Sequence, residues 1–211
     1  MANAREILSR MKSVQDTRKI TNAMYLISST KLKKSKKLLE ETEPYFYTLQ
    51  DLIRRILRHM PDVEHFYFNP RSEIKGADRT KGLIVITGDK GLAGAYNHNV
   101  LKMAQEWMEQ GDNHRLYVVG ELGRHYFASK HIPVEEQFHY TVQNPTMHRA
   151  RLISSTVLED YEQGQLDEVW ILYTQMINSM KMEAEIVQLL PLKREDFSNI
   201  VIPPDIIQEE I

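Results

Sequence analysis

The sequence predicts an α/β protein: a long N-terminal coiled-coil helix, then a domain built on a mostly parallel sheet. Three observations predict it. Residues 1–40 contain neither Gly nor Pro, and bulky apolar residues recur three or four apart at Ile7, Met11, Val14, Ile20, Met24 and Ile27, the spacing of a narrow helical seam. From Gly82 onward, short β-branched runs alternate with helical stripes, the rhythm of βαβ units. Charge is divided along the chain as well. Residues 1–40 hold ten Lys/Arg against three acids, a net of +7, and the rest of the chain holds 17 against 26, a net of −9.

Forty helical residues reach about 60 Å. Such a helix cannot bury its seam along its whole length against one compact domain, so it requires a partner helix from this chain or another. Pro44 removes a backbone donor and predicts a kink or a split there. Tyr45, Leu49, Leu52, Ile53 and Ile56 resume the stripe, which ends before Pro61, so the helix is assigned to 1–60. Residues 61–77 mix Pro, Gly, Asn and charge without a period and read as a linker.

The α/β domain is assigned to 78–195. GLIVIT (82–87) is a continuous apolar run of the kind found in a buried strand. The turn GDKGLAGAYN (88–97) follows, with Asn97 placed to cap a helix running to about Gln110. RLYVVG (115–120) is a second strand and residues 121–130 a short helix. PVEEQFHY (133–140) suits an extended segment, 146–163 another helix, and EVWILYTQMIN (168–178) and EAEIVQLLPL (183–192) the last strands, one an antiparallel edge. The tail 196–211 is acidic, and its DIIQEEI suits the start of a helix.

Little in the residues points to catalysis. There is no cysteine, which excludes disulfides, thiol chemistry and thiolate metal sites. The eight histidines lack metal-ligand spacing, and the acidic pairs Glu135–Glu136, Glu159–Asp160 and Glu209–Glu210 read as solvated surface. Gly88, Gly91 and Gly94 space as G-x-x-G-x-x-G, neither the dinucleotide fingerprint nor a P-loop; a tight structural turn is the expected role, and no cofactor is predicted. No run approaches a membrane span, no signal-peptide core opens the chain, and a cytosolic location, at most on a membrane face, is expected. The lysines of KLKKSKK (31–37) favour an acidic protein groove, ahead of a merely solvated face, with nucleic acid or lipid behind both. The segment has no interleaved aromatics and the whole chain is not basic, and the seam lacks Trp or Phe membrane anchors.

KSVQDTRKITNAMYLISSTKLKKSK (12–36) resembles the opening of the gamma subunit of F-type ATP synthase. Lys12, Ser13, Val14, Thr17, Lys19, Ile20, Thr21, Ala23, Met24, Ser28, Lys31 and Leu32 match that family's pattern. Pro44–Tyr45 matches its Pro-Tyr within the same helix, which favours a kink over a break. TGDKGLAGAYN (87–97) is similar to its glycine turn, with Ala93 where Cys is common, and LYTQMINSMKMEAEIVQLLP (172–191) to its last pair of strands. The resemblance covers nearly the whole chain in order.

It implies a non-catalytic central-stalk rotor with a Rossmann-like α/β domain. The rotor couples ion flow through the membrane c-ring to conformational change at catalytic sites on the beta subunits. The implied partners are the alpha and beta subunits, the epsilon subunit, the c-ring and a C-terminal gamma helix, with no nucleic acid. The implied place is peripheral, on the cytoplasmic face of the inner (plasma) membrane. Ile7, Met11, Val14, Ile20, Met24 and Ile27 would form the partner seam, with Ile20, Met24 and Ile27 facing the catalytic ring. Lys12, Lys19 and Lys31 are the expected contacts to acidic ring loops. Gly88, Gly91 and Gly94 would shape the turn. The family's C-terminal helix signature has no counterpart before Ile211; a shortened sequence is the expected reason, ahead of a split subunit or a degenerate paralogue.

Overall fold

The computed structural model describes residues 2–203 apart from 63, 112, 179, 199 and 202. The described residues divide into two compact units, one drawn from 1–62 and 195–211, the other from 63–194. The predicted helix start in DIIQEEI and any C-terminal helix lie outside the described residues.

The first unit is dominated by one helix, α1 (Ala2–His59), which runs unbroken through Pro44. At 1.5 Å per residue its 58 residues span about 87 Å. Threonines along it return their hydroxyls to the carbonyl four residues back: Thr17 to Ser13, Thr21 to Thr17, Thr42 to Leu38 and Thr48 to Pro44. These side chains therefore sit in the helix with their donors satisfied internally. A short helix, α5 (Arg194–Ser198), follows the last strand of the sheet.

The second unit is an α/β domain. In chain order it runs β1 (Lys81–Ile86), α2 (Tyr96–Met108), β2 (His114–Val119), α3 (Glu121–Ser129), α4 (Met147–Glu162), β3 (Glu168–Met176) and β4 (Met182–Leu190). The sheet order is β2-β1-β3-β4. β1 pairs in parallel with β2 and β3, and β4 closes the edge antiparallel to β3, as the sequence predicts. β1 is central and buried on both faces, which is why it reads as an unbroken apolar run. Leu83 and Val85 point into one core with Val100, Leu101, Ala104 and Met108 of α2 and Phe127 of α3. Ile84 points into the opposite core with Tyr117, Val119, Phe138, Val169 and, from α4, Val157 and Tyr161. The alternation follows from the two-residue strand period.

One local expectation is corrected. Asn97 does not cap α2: the helix begins at Tyr96, Ala95 holds the cap position without a side-chain bond, and Asn97 is buried and turned back toward the turn. Residues 133–140, expected as an extended segment, run beside β2 without forming a named strand: the Glu135 amide donates to Leu116 at 2.8 Å and Tyr140 bridges Val119.

Residues 64–80, with no hydrophobic period, carry two 3-10 turns at Phe66–Phe68 and Gly76–Asp78. Phe66 and Tyr67 rest against Tyr161 of the second core, and two arginines tie the segment down. Arg71 donates to the carbonyls of Leu166 (2.5 Å) and Tyr161 (2.8 Å), pairs with Asp167 (3.1 Å), and lies over the Tyr161 ring at 4.2 Å. Arg79 pairs with Glu168 at 3.1 Å and donates to the carbonyls of Pro70, Arg71 and Ile74.

The second core holds one polar network. The Tyr117 hydroxyl donates to Asp160 at 2.5 Å, and Arg115 bridges Glu135 (2.6 Å) and Asp160 (3.3 Å). Burial, and then the bond to Asp160, pushes the Tyr117 hydroxyl above its ordinary range. Burial likewise raises Tyr67, Tyr161 and Tyr173. A pKa raised by folding contributes stability that is complete below the unfolded value, about 10 for tyrosine, and is lost as pH climbs above it. Stability to urea is therefore expected to hold at pH 8–9 and to fall above about pH 10. Tyr117→Phe is expected to cost about 1–2 kcal/mol at neutral pH and to flatten that alkaline fall. An unchanged alkaline slope in the variant would contradict the assignment.

Candidate functional site

The long helix presents its apolar residues to the outside. Ile7, Met11, Val14, Ile20, Met24 and Ile27 are all exposed, as are Leu8, Tyr25, Leu26, Leu32, Leu39 and Phe46. Exposed bulky side chains at this density on one helix mark a surface that another element covers.

They do not form the single seam predicted. A helix turns about 100° per residue, so Ile7, Met11 and Val14 share one face, and Ile20, Met24 and Ile27 share another. The six-residue step from Val14 to Ile20 rotates the pattern by about 240°, equivalent to about 120° in the other sense, which sets the two triplets on different sides of the helix. Continuing the alternating four-three step from Val14 instead leads through Arg18 and Thr21 to Tyr25, Ser28, Leu32, Ser35, Leu39, Thr42, Phe46, Leu49, Ile53 and Ile56. This is a continuous heptad register along the helix. Over residues 18–46 one core position is mostly bulky (Arg18, Tyr25, Leu32, Leu39, Phe46), and the other carries only small hydroxyl residues (Thr21, Ser28, Ser35, Thr42). The second face, Ile20, Met24 and Ile27, continues C-terminally into Lys31, Lys34 and Leu38.

Of the predicted basic contacts, Lys31 therefore lies on the Ile20 face. Lys31 and Lys12 are exposed and make no ion pair among the described residues, whereas Lys19 pairs with Asp16 at 3.6 Å. That pair is exposed at both ends and contributes little.

The glycine turn is a staple between β1 and the helices after it. The Gly88 amide donates to Asn97 Oδ1 at 2.7 Å, and the Gly88 carbonyl accepts from Leu122 at 3.1 Å. Asp89 accepts from the backbone amides of Glu121 (3.2 Å) and Val142 (3.2 Å). Buried Thr87 donates to Val119 and accepts from Gly123 at 3.0 Å. The Gly88 amide that would face an anion is thus already used by Asn97.

Of the three predicted glycines, Gly94 alone takes a positive φ, at 56°, with open space around its Cβ position. Gly88 meets Asn97 at 3.3 Å, and Gly91 meets nothing and has no positive φ. The neighbouring left-handed residue is Leu92, at φ 63° and 93% exposed. Gly91→Ala is expected to leave the urea midpoint unchanged within about 0.5 kcal/mol, and Gly94→Ala to cost about 1–2 kcal/mol. Equal effects would contradict this division. The glycines with no freedom were missed in the sequence. Gly120 has φ 102°, and a Cβ there would lie 2.3 Å from the Thr87 carbonyl oxygen; at Gly123 one would lie 2.7 Å from Thr87 Oγ1.

Among the described residues no cluster of three or more His, Asp or Glu is placed to hold a metal, and no helix is long and apolar enough to cross a membrane.

Comparison with known proteins identifies the family. The family model described as ATP synthase matches residues 3–210. An ATP synthase gamma chain of Acetivibrio thermocellus is 44% identical over 92% of this chain and 65% of its own length. One of Ruminiclostridium cellulolyticum is 46% identical, covering 92% and 67%. One of Caldanaerobacter subterraneus is 41% identical, covering 98% and 69%. The chain thus spans about two thirds of the length of these relatives. Among solved structures, the central stalk and c-ring of the Tetrahymena thermophila mitochondrial ATP synthase matches with a TM-score of 0.62 at 21% identity. It covers 82% of this chain and 72% of that one, and it shows the same fold. A 58-residue helix with exposed heptads, an α/β domain of this topology and relatives above 40% identity agree: the chain belongs to the ATP synthase gamma-chain family.

Proposed function

We propose that this chain works as the rotor of an F-type ATP synthase. It turns with the membrane c-ring and drives conformational change at catalytic sites carried by the beta subunits, without chemistry of its own. The observation that carries the reading is α1, about 87 Å of helix with apolar residues exposed on two faces. One face carries a heptad stripe, which pairs with a second, C-terminal gamma helix in a coiled coil. The second face, Ile20, Met24 and Ile27 with Lys31 and Lys34 beyond, meets the alpha and beta subunits, whose acidic loops suit its charge. The α/β domain sits on the epsilon subunit and the c-ring. The assembly is peripheral, on the cytoplasmic face of the inner membrane. Site residues Ile7, Met11 and Val14 belong to the helix-pairing face, and Lys12 and Lys19 to the basic flank. The alternative of a stand-alone module for nucleic acid or anionic membrane finds no support in the relatives.

The two faces are separable by mutation. Leu32→Asp is expected to abolish pairing with a C-terminal gamma helix. Met24→Asp together with Lys31→Glu is expected to leave pairing intact and to weaken association with alpha and beta subunits by about tenfold or more, read by co-elution. Equal retention of the Met24/Lys31 variant and the parent chain would sink the assignment of that face.

A further inference from the structure

We propose that the helix pairing with α1 carries a carboxylate opposite Arg18; the inference rests on the coiled-coil reading above. Arg18 occupies a core position of the heptad stripe, between Val14 and Thr21 on the way to Tyr25. It is exposed and makes no ion pair among the described residues. Its own helix offers no relief: the residues three and four away on either side are Val14, Gln15, Thr21 and Asn22, none of them acidic. The nearby acids are committed elsewhere, Asp16 to Lys19 and Glu6 to Arg10.

When a second helix covers the stripe, the Arg18 guanidinium leaves water. An unpaired charge at a helix–helix core is strongly unfavourable, whereas a charge with a hydrogen-bonded partner is tolerated and fixes register. The next core positions, Thr21 and Ser28, are small, so the partner backbone approaches closely there and leaves little room for an arginine to swing out. The occupant that fits is an apolar heptad helix with a single Asp or Glu at the Arg18 level and bulky residues opposite Thr21, Ser28, Ser35 and Thr42. The carboxylate sets register: any slip by a heptad buries two unpaired charges.

The test uses the full chain and three labelled helical peptides of about four heptads. All carry leucine at the core positions except the central one, which is Leu, Glu or Lys. Binding is read by fluorescence anisotropy for the parent chain, Arg18→Glu and Arg18→Leu. Because Arg18 is exposed, both variants are expected to keep the helicity of the parent by circular dichroism. The parent is expected to bind the Glu peptide at least about tenfold more tightly than the Lys peptide. Arg18→Glu should reverse that preference, and Arg18→Leu should favour the Leu peptide. Binding of all three peptides with no dependence on residue 18 would overturn the proposal while leaving the coiled-coil reading standing. Failure of the Leu peptide to bind any of the chains would overturn the coiled-coil reading and the proposal with it.

Discussion

Gly120→Ala is expected to destabilise the α/β unit by about 4 kcal/mol, more than alanine at any other glycine of the unit. Gly120 joins β2 to α3 at φ 102° and ψ 135°, a backbone region that residues with a Cβ rarely enter. The added carbon would lie 2.3 Å from the Thr87 carbonyl oxygen and 2.6 Å from its hydroxyl. Neither atom is free to retreat. The Thr87 amide donates to Val119 at 2.9 Å, its hydroxyl is held by Val119 and Gly123, and the Gly120 amide donates to Tyr140 at 2.8 Å. Backbone strain contributes about 1–3 kcal/mol and the clash a similar amount. Urea unfolding of the variant is the measurement; a midpoint like that of Gly91→Ala would show that the β1–β2 crossover is not packed as described.

Arg71→Met is expected to cost about 3–5 kcal/mol and to release residues 64–80. The guanidinium satisfies two carbonyls and one buried carboxylate at once. Removal leaves Asp167 with the Thr80 amide, at 2.9 Å, as its remaining donor among these contacts. The carboxylate is the expensive part, because an uncompensated buried charge costs more than a lost hydrogen bond. Arg71→Met combined with Asp167→Asn should therefore recover part of the loss, and the double-mutant cycle measures how much. Additive effects would contradict a coupled pair. Proteolysis of native protein should cut first within 64–80 in the single variant.

What the sequence disclosed follows from how local each cause is. β1 is legible because a central parallel strand buries both faces and needs nothing but apolar residues. α1 is legible because forty residues without Gly or Pro leave few alternatives. The phase of its stripe was misjudged for a physical reason: steps of three or four look alike locally, and a single six-residue gap between Val14 and Ile20 turns the pattern to a different side of the helix. Following the heptad through polar Arg18 and Thr21 keeps to one face. Gly120 carries no local signal, since its constraint comes from Thr87, thirty-three residues earlier. Arg71 and Arg79 are unreadable for the same reason: their carboxylate partners, Asp167 and Glu168, lie about ninety residues later in the chain. Asn97 reads as a helix cap by position, yet its side chain serves the Gly88 amide instead.

The central claim is that this chain is a shaft that assembles into a catalytic ring. The direct measurement mixes it with separately purified alpha and beta subunits, with and without a supplied C-terminal gamma helix, and follows co-elution and ATP hydrolysis. The account predicts a stable complex with ATPase activity that the supplied helix strengthens. Absence of assembly under both conditions would contradict the rotor reading and leave family membership and fold without that role.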